Sequence, residues 1–505
     1  MAIKYEGNVT NPVVRGFYPD PSVCEANGKY YLVCSTFEYF PGVPVFESDD
    51  LVNWTQIANV FTRFDQIDLK EVNSSGGVFA PTIRYNDGVF YMVTNNNTYQ
   101  KNLYVTTKDI RGEWSEPIFV DQEGIDPSLY FENGKAYFVS NGTDENGDGC
   151  ILCCEINIET GEKLTASIPI WGGSGGRYLE SPHLYHVGDY YYIMAAEGGT
   201  EYGHMITYAR GKSPFGPFED YAGNPVITNR DLGGNLNRIQ AIGHGDLIEG
   251  PDGNFYIICL GFRQNGEWSP FHHLGREVYI TPVVWEDGWF RAKQQTSVGE
   301  KTQIDCCSEQ KMVDYSTDIK KIYDNRLRLM YLRQPDFNNY KFEQDRILIK
   351  QTKVTLNDTI SPSFVGIRQS QFDTELNLTV SVEDGEAGFS FYLFENAHFD
   401  LYLSVEEGKA YAALRLCEGD LKTVVKKVEL PEKKAVLRAV SDPMQYHFYA
   451  MVGEEEIFLG DGTARMLSSE VNGGFTGVVG GLFATNVNGD CGWAEFTSFD
   501  WKQNY

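Results

Sequence analysis

Three acidic residues and one histidine hold matching positions in a repeated pattern. Asp20, Asp126 and Glu180 each stand eight residues before a turn glycine, and His244 stands nine residues before another. Ala80 holds the same position in the fifth copy. Carboxyl groups that face one another in a cleft suit glycoside hydrolysis, because a protonated one protonates the leaving oxygen while an ionised one activates water. A third carboxylate nearby raises the pKa of the acid. The pattern predicts a catalytic site.

Simpler interpretations exist for the same residues taken one at a time. Asp20 and Asp126 each precede a proline, and Asp before Pro is a common turn former. Turn formation does not explain a third acid and a histidine at the same phase, so we favour the functional interpretation. For His244 three interpretations stay open: a ligand, a hydrogen-bonding group on an axis, or a buried structural histidine.

The elements that would position these residues are hairpins. Each copy has a turn glycine followed by an aromatic-rich alternating run, a strong β-hairpin signal. The five glycines are Gly28, Gly88, Gly134, Gly188 and Gly253. Five such copies, nearly without helical patterning, predict a five-bladed β-propeller. If the strand before each glycine is the innermost of its blade, the acids and the histidine converge on the central channel.

Past Trp289 the repeat fades into a polar stretch, followed by short strands with turn signals. We predict an all-β protein with a propeller over residues 1–295, a linker over 296–311 and a β-sandwich over 312–505.

Composition restricts the partners and the location. The 505-residue chain has 70 acidic and 42 basic residues and a net charge of −28, which repels phosphate backbones and anionic membranes. No apolar run is long enough to span a bilayer, and the start of the sequence has no signal-peptide pattern. We expect a cytoplasmic protein with no nucleic-acid or membrane partner. The ten cysteines lack zinc-site spacing and are predicted to be reduced thiols.

One motif has a misleading pattern. Residues 144–155 satisfy the EF-hand spacing, with Asp144, Asn146, Asp148 and Glu155 at ligand positions. The flanking sequences predict strands, whereas an EF-hand needs helices. We interpret the segment as a hairpin loop.

The motifs that carry these residues resemble those of glycoside hydrolase family 43, the β-xylosidase and α-L-arabinofuranosidase group. The matching stretches include GFYPDPS, SSGGVFAPTIRY, GIDPSLYF, LESPHLY, GHGDLIE and LGREVYITPVVWEDGW. The resemblance implies a five-bladed propeller and a jelly-roll or concanavalin-like sandwich that closes one side of the active site. It also implies an inverting mechanism with Asp20 as general base, Glu180 as general acid, and Asp126 tuning and orienting that acid.

The resemblance implies roles for five binding residues. Arg276 would contact sugar hydroxyls, and Phe37 and Phe79 would form apolar walls, although many relatives have Trp where this chain has Phe79. Phe475 would be the contact from the sandwich. His244 matches a histidine on the propeller axis, which in some relatives helps to hold a hydrated calcium ion.

The predicted protein is therefore an exo-acting hydrolase that releases terminal D-xylose, L-arabinofuranose or both from xylo- or arabinoxylo-oligosaccharides. No cofactor is required, and calcium near His244 and a homo-oligomeric state are further expectations. Two alternatives remain: a non-catalytic carbohydrate-binding propeller, and a hydrolase for another pentose-containing glycan such as arabinan. An inverting enzyme would hold the carboxyls of Asp20 and Glu180 roughly 6.5–9.5 Å apart.

Overall fold

The computed structural model describes residues 3–98, 101–233, 236–266, 268–293 and 295–503. Two arrangements of antiparallel strands account for most of them, and the predicted all-β fold is confirmed. The first arrangement consists of five successive sheets, each containing four strands in sequence order. The predicted hairpin turns connect the first two strands of each sheet. Asn27 and Gly28 illustrate why these turns favour Asn and Gly. Their φ angles are 56° and 77°, values that Asn and Gly adopt readily.

The strands of the five blades are as follows. Blade 1 has Ser22–Ala26, Lys29–Val33, Gly42–Ser48 and Thr55–Phe61. Blade 2 has Thr82–Asn86, Val89–Asn96, Lys101–Thr107 and Ile118–Val120. Blade 3 has Ser128–Glu132, Lys135–Thr143, Gly149–Ile156 and Ile168–Trp171. Blade 4 has Glu180–Val187, Tyr190–Glu197, Met205–Gly211 and Phe218–Asp220, with Ile227–Thr228 paired to its third strand. Blade 5 has Ile239–Glu249, Phe255–Arg263, Glu277–Glu286 and Trp289–Ala292.

The first strands of neighbouring blades contact one another in a closed ring, and the first strand of blade 5 reaches that of blade 1. These strands are therefore the innermost ones, as the position of the acids predicted. A further pairing connects the two ends of the propeller sequence. Val9–Thr10, which precedes blade 1, pairs with Lys301–Thr302, which follows blade 5. The latter strand lies within the predicted linker 296–311, so part of that segment is bound to the propeller. The predicted domain boundaries themselves stay predictions.

The second arrangement is a sandwich of two antiparallel sheets. One sheet has, in spatial order, Tyr340–Phe342, Ile347–Lys350, Trp493–Gln503, Thr374–Ser381, Lys434–Ser441, Gln445–Val452 and Glu455–Thr463, with Thr317–Asp318 paired to Trp493–Gln503. The other has Phe364–Arg368, Val479–Thr485, Gly385–Phe394, Ala397–Glu406, Lys409–Glu418 and Leu421–Leu430. Apolar side chains on the inner faces of the two sheets form one buried core, which includes Phe389, Phe448 and Trp501.

Helices are short and few among the described residues. They are the α-helices Ile319–Asp324 and Ser469–Asn472 and the 3₁₀ helices Phe337–Asn339 and Ala464–Leu467. None of the helices in the described part of the chain is long and apolar enough to cross a membrane. The two arrangements are connected directly, since Tyr39–Phe40 of the propeller pairs with Tyr331–Leu332.

The segment with EF-hand spacing is a hairpin loop, as interpreted from its flanks. Strands Lys135–Thr143 and Gly149–Ile156 pair around the loop 144–148, so Glu155 lies in the second strand. The carboxylate of Asp144 accepts hydrogen bonds from the backbone N–H groups of Asn146 and Asp148. The carboxylate of Asp144 therefore stabilises the turn of this loop. All ten cysteines are free.

Candidate active site

The repeated strand starts bring the predicted acids and histidine together. Asp20 and Asp126 lie two residues before the innermost strands of blades 1 and 3. Glu180 begins that of blade 4, and His244 lies within that of blade 5. All of them face one cavity of about 280 Å³ at the mouth of the channel. The cavity is lined by all eight predicted site residues, namely Asp20, Phe37, Phe79, Asp126, Glu180, His244, Arg276 and Phe475.

The backbone at these positions departs from regular strand geometry. Asp20, Asp126 and His244 have φ angles of 55°, 50° and 45°, respectively. The pairing register shifts next to Glu180 and on both sides of His244's neighbour Gly243. Positive φ costs a non-glycine residue about 1–3 kcal/mol and is concentrated at functional sites, and bulges redirect side chains there. The strand starts are therefore shaped to aim side chains into the cavity.

Asp20 is buried and held by cationic and hydroxyl donors. The Nη1 of Arg276 donates to its Oδ1 at 2.6 Å, and the hydroxyl of Ser35 donates to its Oδ2. The Nδ1 of His244 lies 3.6 Å from Oδ1. Burial by itself would raise the pKa of Asp20, but Arg276, His244 and Ser35 together lower it below its ordinary value. Asp20 is therefore ionised at neutral pH.

Glu180 and Asp126 have the opposite electrostatic character. Burial and the negative charge of Asp20 raise the pKa of Glu180 to about 7. Burial, Glu180 and Asp20 raise the pKa of Asp126 as well. Because two buried neighbouring carboxyls resist ionising together, the pair keeps a proton near neutral pH. The backbone N–H of Ser181 favours the ionised form of Asp126, but burial and the charges of Glu180 and Asp20 outweigh it, so the proton belongs to the pair of carboxyls.

Three phenylalanine rings form the apolar side of the cavity. The ring of Phe37 stacks on that of Phe475 with centroids 5.7 Å apart and meets Phe79 edge-on at 5.4 Å. Phe475 comes from the sandwich, and its backbone carbonyl accepts a hydrogen bond from Nη2 of Arg276 at 3.2 Å. The predicted sandwich contact therefore lies against both the apolar wall and the arginine.

Several cavity residues in or next to blade 4 were not predicted from the sequence, among them Thr200, His204 and Tyr178. The Oγ1 of Thr200 accepts a hydrogen bond from Arg276 Nη1 at 2.9 Å. His204 is buried beside the cavity, and burial lowers its pKa to about 3. Tyr178 is 59% exposed at the rim. Thr200 and His204 lie in the segment that follows the second strand of the blade, whereas the repeat marks only strand starts.

The surroundings of His244 bear on the expected calcium ion. Burial lowers the pKa of His244 to about 4, so its imidazole is neutral. Calcium takes about six to eight oxygen ligands, but the carboxylate next to His244 is that of Asp20, which is occupied by Arg276 and Ser35. No group of three or more His, Cys, Asp or Glu within the described ranges could hold a metal ion. The residues do not fit a calcium ion bound directly by side chains.

A buried polar network joins the innermost strands next to the cavity. Asp246, fully buried two residues after His244, accepts hydrogen bonds from Ser22 at 2.7 Å, Arg84 at 2.8 Å and Tyr185 at 2.6 Å. These donors come from blades 1, 2 and 4, while Asp246 belongs to blade 5. The network joins four innermost strands and so fixes their relative positions.

Comparisons with known proteins agree with this architecture. Residues 9–290 match the family model described as Glycosyl hydrolases family 43. Residues 324–502 match the model described as Beta xylosidase C-terminal Concanavalin A-like domain. The two matches fall on the propeller and on the sandwich, respectively.

Individual relatives match over nearly the full chain. A "Non-reducing end alpha-L-arabinofuranosidase" of Bacteroides ovatus is 35% identical, covering 97% of this chain and 94% of the relative. A "Xylosidase/arabinosidase" of Butyrivibrio fibrisolvens is 33% identical, covering 96% and 98%. Among solved structures, a xylan beta-1,4-xylosidase from Bacillus halodurans has a TM-score of 0.90 at 27% identity, covering 98% of this chain and 100% of that one.

Proposed function

The chain belongs to glycosyl hydrolase family 43 and is a glycosidase, and from that membership we propose that it releases single terminal D-xylose or L-arabinofuranose units from xylo- or arabinoxylo-oligosaccharides. The names of the relatives, which include an arabinofuranosidase and a xylosidase/arabinosidase, support both sugars. D-xylopyranose and L-arabinofuranose present similar hydroxyl arrangements, so one pocket can accept both.

The observation that carries the proposal is the unequal charge state of carboxyls around one cavity. Asp20 is held ionised by Arg276, whereas Glu180 is kept protonated by burial and by the charge of Asp20. Glycoside hydrolysis needs one carboxyl in each state. A binding site for neutral sugars has no comparable need for three buried acids.

In the proposed mechanism, Asp20 removes a proton from a water molecule as that water attacks the anomeric carbon. Glu180 donates its proton to the glycosidic oxygen, which leaves as the hydroxyl of the shortened chain. Asp126, whose own pKa is raised by the charge of Glu180, has the proposed role of tuning and orienting that acid. These proton transfers need no organic cofactor. Calcium near His244 remains a prediction, and no step depends on it.

An exo mode of action is supported by the size and closure of the pocket. Its volume of about 280 Å³ is at the lower end of small-molecule pockets, which span roughly 300–1,000 Å³. Arg276 and the ring of Phe475 close it on the sandwich side. Such a pocket suits one terminal sugar ring rather than the middle of a chain.

Hydrolysis of 4-nitrophenyl β-D-xylopyranoside and α-L-arabinofuranoside tests the proposal. We expect the wild type to cleave at least one, and Asp20→Ala and Glu180→Ala each to lose at least about 100-fold in kcat/KM. Asp148→Asn, in the exposed blade 3 loop, is the control and should retain full activity. Proton NMR of the first-formed sugar should show an inverted anomer.

Three outcomes would contradict the proposal. A wild type that cleaves neither glycoside would show that the substrate assignment is wrong. Unchanged turnover in both carboxyl variants would favour a site whose acids do no chemistry. Release of arabinose from arabinan, but not of pentose from xylo-oligosaccharides, would select the arabinan-directed alternative.

A further inference from the structure

A loop of the sandwich is held between two segments of the propeller beside the candidate active site. The loop covers residues 473–478 and contains Phe475. On one side, the backbone N–H of Phe475 donates to the hydroxyl of Ser75 at 2.8 Å. On the other, the N–H of Val478 donates to the carbonyl of His273 at 2.9 Å. Both faces of the loop thus contact propeller residues.

The contacts leave no space for additional atoms. Gly474 has a φ of 76°, and a Cβ placed on it would lie 2.6 Å from the Ser75 Oγ and 2.2 Å from Phe394. A Cβ on Gly275 would lie 3.0 Å from the Cα of Gly477. Real Cβ atoms do not come as close as 2.2 or 2.6 Å, so a glycine is required at position 474 for the loop to reach Ser75.

Ser75 is itself fixed by a buried carboxyl group. Its backbone N–H donates to Oε2 of Glu38 at 2.9 Å, and Glu38 is fully buried. Ser75 is 8% exposed and has a φ of 63°, a conformation that costs a serine free energy and persists only where neighbours impose it. The hydroxyl of Ser75 therefore has a defined position.

The loop connects this serine to the proposed general base. The carbonyl of Phe475 accepts a hydrogen bond from Nη2 of Arg276 at 3.2 Å. Nη1 of the same guanidinium donates to Asp20 at 2.6 Å. Because a guanidinium is planar and rigid, the carbonyl that binds one nitrogen helps to set the direction of the other.

We propose that Ser75 is a positioning residue for hydrolysis: its hydroxyl fixes the backbone of Phe475 in the sandwich, and the Phe475 carbonyl then orients Arg276 toward Asp20. The sandwich in this way acts on the general base, beyond covering the pocket. The kinetic part of this inference depends on the proposed function, whereas its structural part does not.

Loss of the Ser75 hydroxyl should shift the acidic limb of the pH profile in a predictable direction. The groups that face Asp20 are Arg276, His244, His204 and the carboxyls of Glu180 and Asp126. Arg276 is the cation among them at neutral pH, since burial keeps both imidazoles neutral. A less well aligned Arg276 therefore raises the pKa of Asp20, and the acidic limb of kcat/KM moves to higher pH.

Ser75→Ala and Ser74→Ala form a matched pair for the experiment. The hydroxyl of Ser74 also crosses to the sandwich, where it donates to Glu395, but it does not contact the loop. We expect Ser75→Ala to lower kcat/KM about tenfold, as for the loss of one well-placed hydrogen bond, and to move the acidic limb upward by about 0.5 pH unit or more. Ser74→Ala should leave the limb unchanged. Ser75→Gly suits the positive φ and provides a second variant if Ser75→Ala does not fold.

Crystal structures of the wild type and of the Ser75 variants give a readout that does not depend on activity. We expect the Phe475 carbonyl to move out of hydrogen-bond distance of Arg276 when the hydroxyl is absent. A variant that keeps this contact would overturn the inference. A Ser75 variant whose acidic limb coincides with that of the wild type and of Ser74→Ala would overturn it too. Failure of the wild type to cleave any pentoside would refute the proposed function alone.

Discussion

At the scale of single residues, Arg276 distinguishes one carboxyl from the other two. It makes direct hydrogen bonds to Asp20 and lowers the pKa of that group, whereas the pKa values of Glu180 and Asp126 are raised. Identical carboxyl groups around one cavity therefore differ in charge state, one ionised and one holding a proton near neutral pH. The environment sets these charge states, because burial and neighbouring charge decide which carboxyl ionises.

The resulting pH dependence is a prediction at this scale. Asp20 must be ionised, so activity should fall as the pH drops through its lowered pKa, below the ordinary aspartate value of about 3.9. Glu180 must be protonated, so activity should fall as the pH rises through about 7. We expect a bell-shaped kcat/KM profile with its optimum on the acidic side of neutrality. Initial rates on an aryl pentoside from pH 3 to 9 measure it.

Unfolding at the extremes must be separated from titration. Enzyme incubated at each pH and then assayed at pH 6 should recover its activity. An optimum above pH 8 would be inconsistent with Glu180 as the protonated acid.

At the scale of elements, the innermost strands do two tasks within a few residues. Their first residues line the cavity, and residues slightly further along bind one another. Asp246 is the centre of the second layer, with hydrogen bonds to Ser22, Arg84 and Tyr185 from three other blades. The strands whose ends line the cavity are thus held together by a buried network around Asp246.

Asp246→Asn should destabilise the protein strongly. The substitution leaves the guanidinium of Arg84 in the channel without its counter-charge, and breaking a buried ion pair costs about 3–5 kcal/mol. The free energy of unfolding from urea denaturation measures this loss. Glu249→Gln, at the exposed end of the same strand, is the control and should change stability by less than about 0.5 kcal/mol. A change of that small size in Asp246→Asn would mean that the network contributes little.

At the scale of the whole molecule, the propeller and the sandwich share a buried apolar cluster. Phe17, Phe37 and Tyr39 from the propeller pack in it with residues of the sandwich, including Tyr392 and Phe483. Strand pairing between Tyr39–Phe40 and Tyr331–Leu332 crosses the same boundary. The pocket therefore depends on both parts. A cytoplasmic location and a homo-oligomeric state remain predictions.

The shared cluster predicts that the two parts unfold together. Interfaces between domains that are large and apolar couple their unfolding, in contrast to small polar ones. We expect a single calorimetric transition, with loss of pentosidase activity at the same temperature. Two resolved transitions, the first of which leaves one part folded, would contradict this coupling. Repeating the scan at a second heating rate controls for irreversible unfolding.

The sequence by itself determined the blades and the position of the acids. A turn glycine, preceded by Asn or Asp in four of the five copies, and an alternating strand are local signals, so five hairpins could be recognised from neighbouring residues alone. The equal spacing from the turn then placed Asp20, Asp126 and Glu180 at the same end of three of the five innermost strands. The roles of Arg276 and Phe475, by contrast, came from the family resemblance, since no local pattern indicates them.

Only the tertiary structure decided how distant segments complete the site. Arg276 meets Asp20 across 256 positions of the chain, and Phe475 meets Ser75 across 400. Thr200 and His204 line the cavity although the repeat pattern does not mark them. A strand also lies within the predicted linker. Such contacts depend on how blades close into a ring and how the sandwich docks, and their geometry is set by packing between elements rather than by the sequence of either partner.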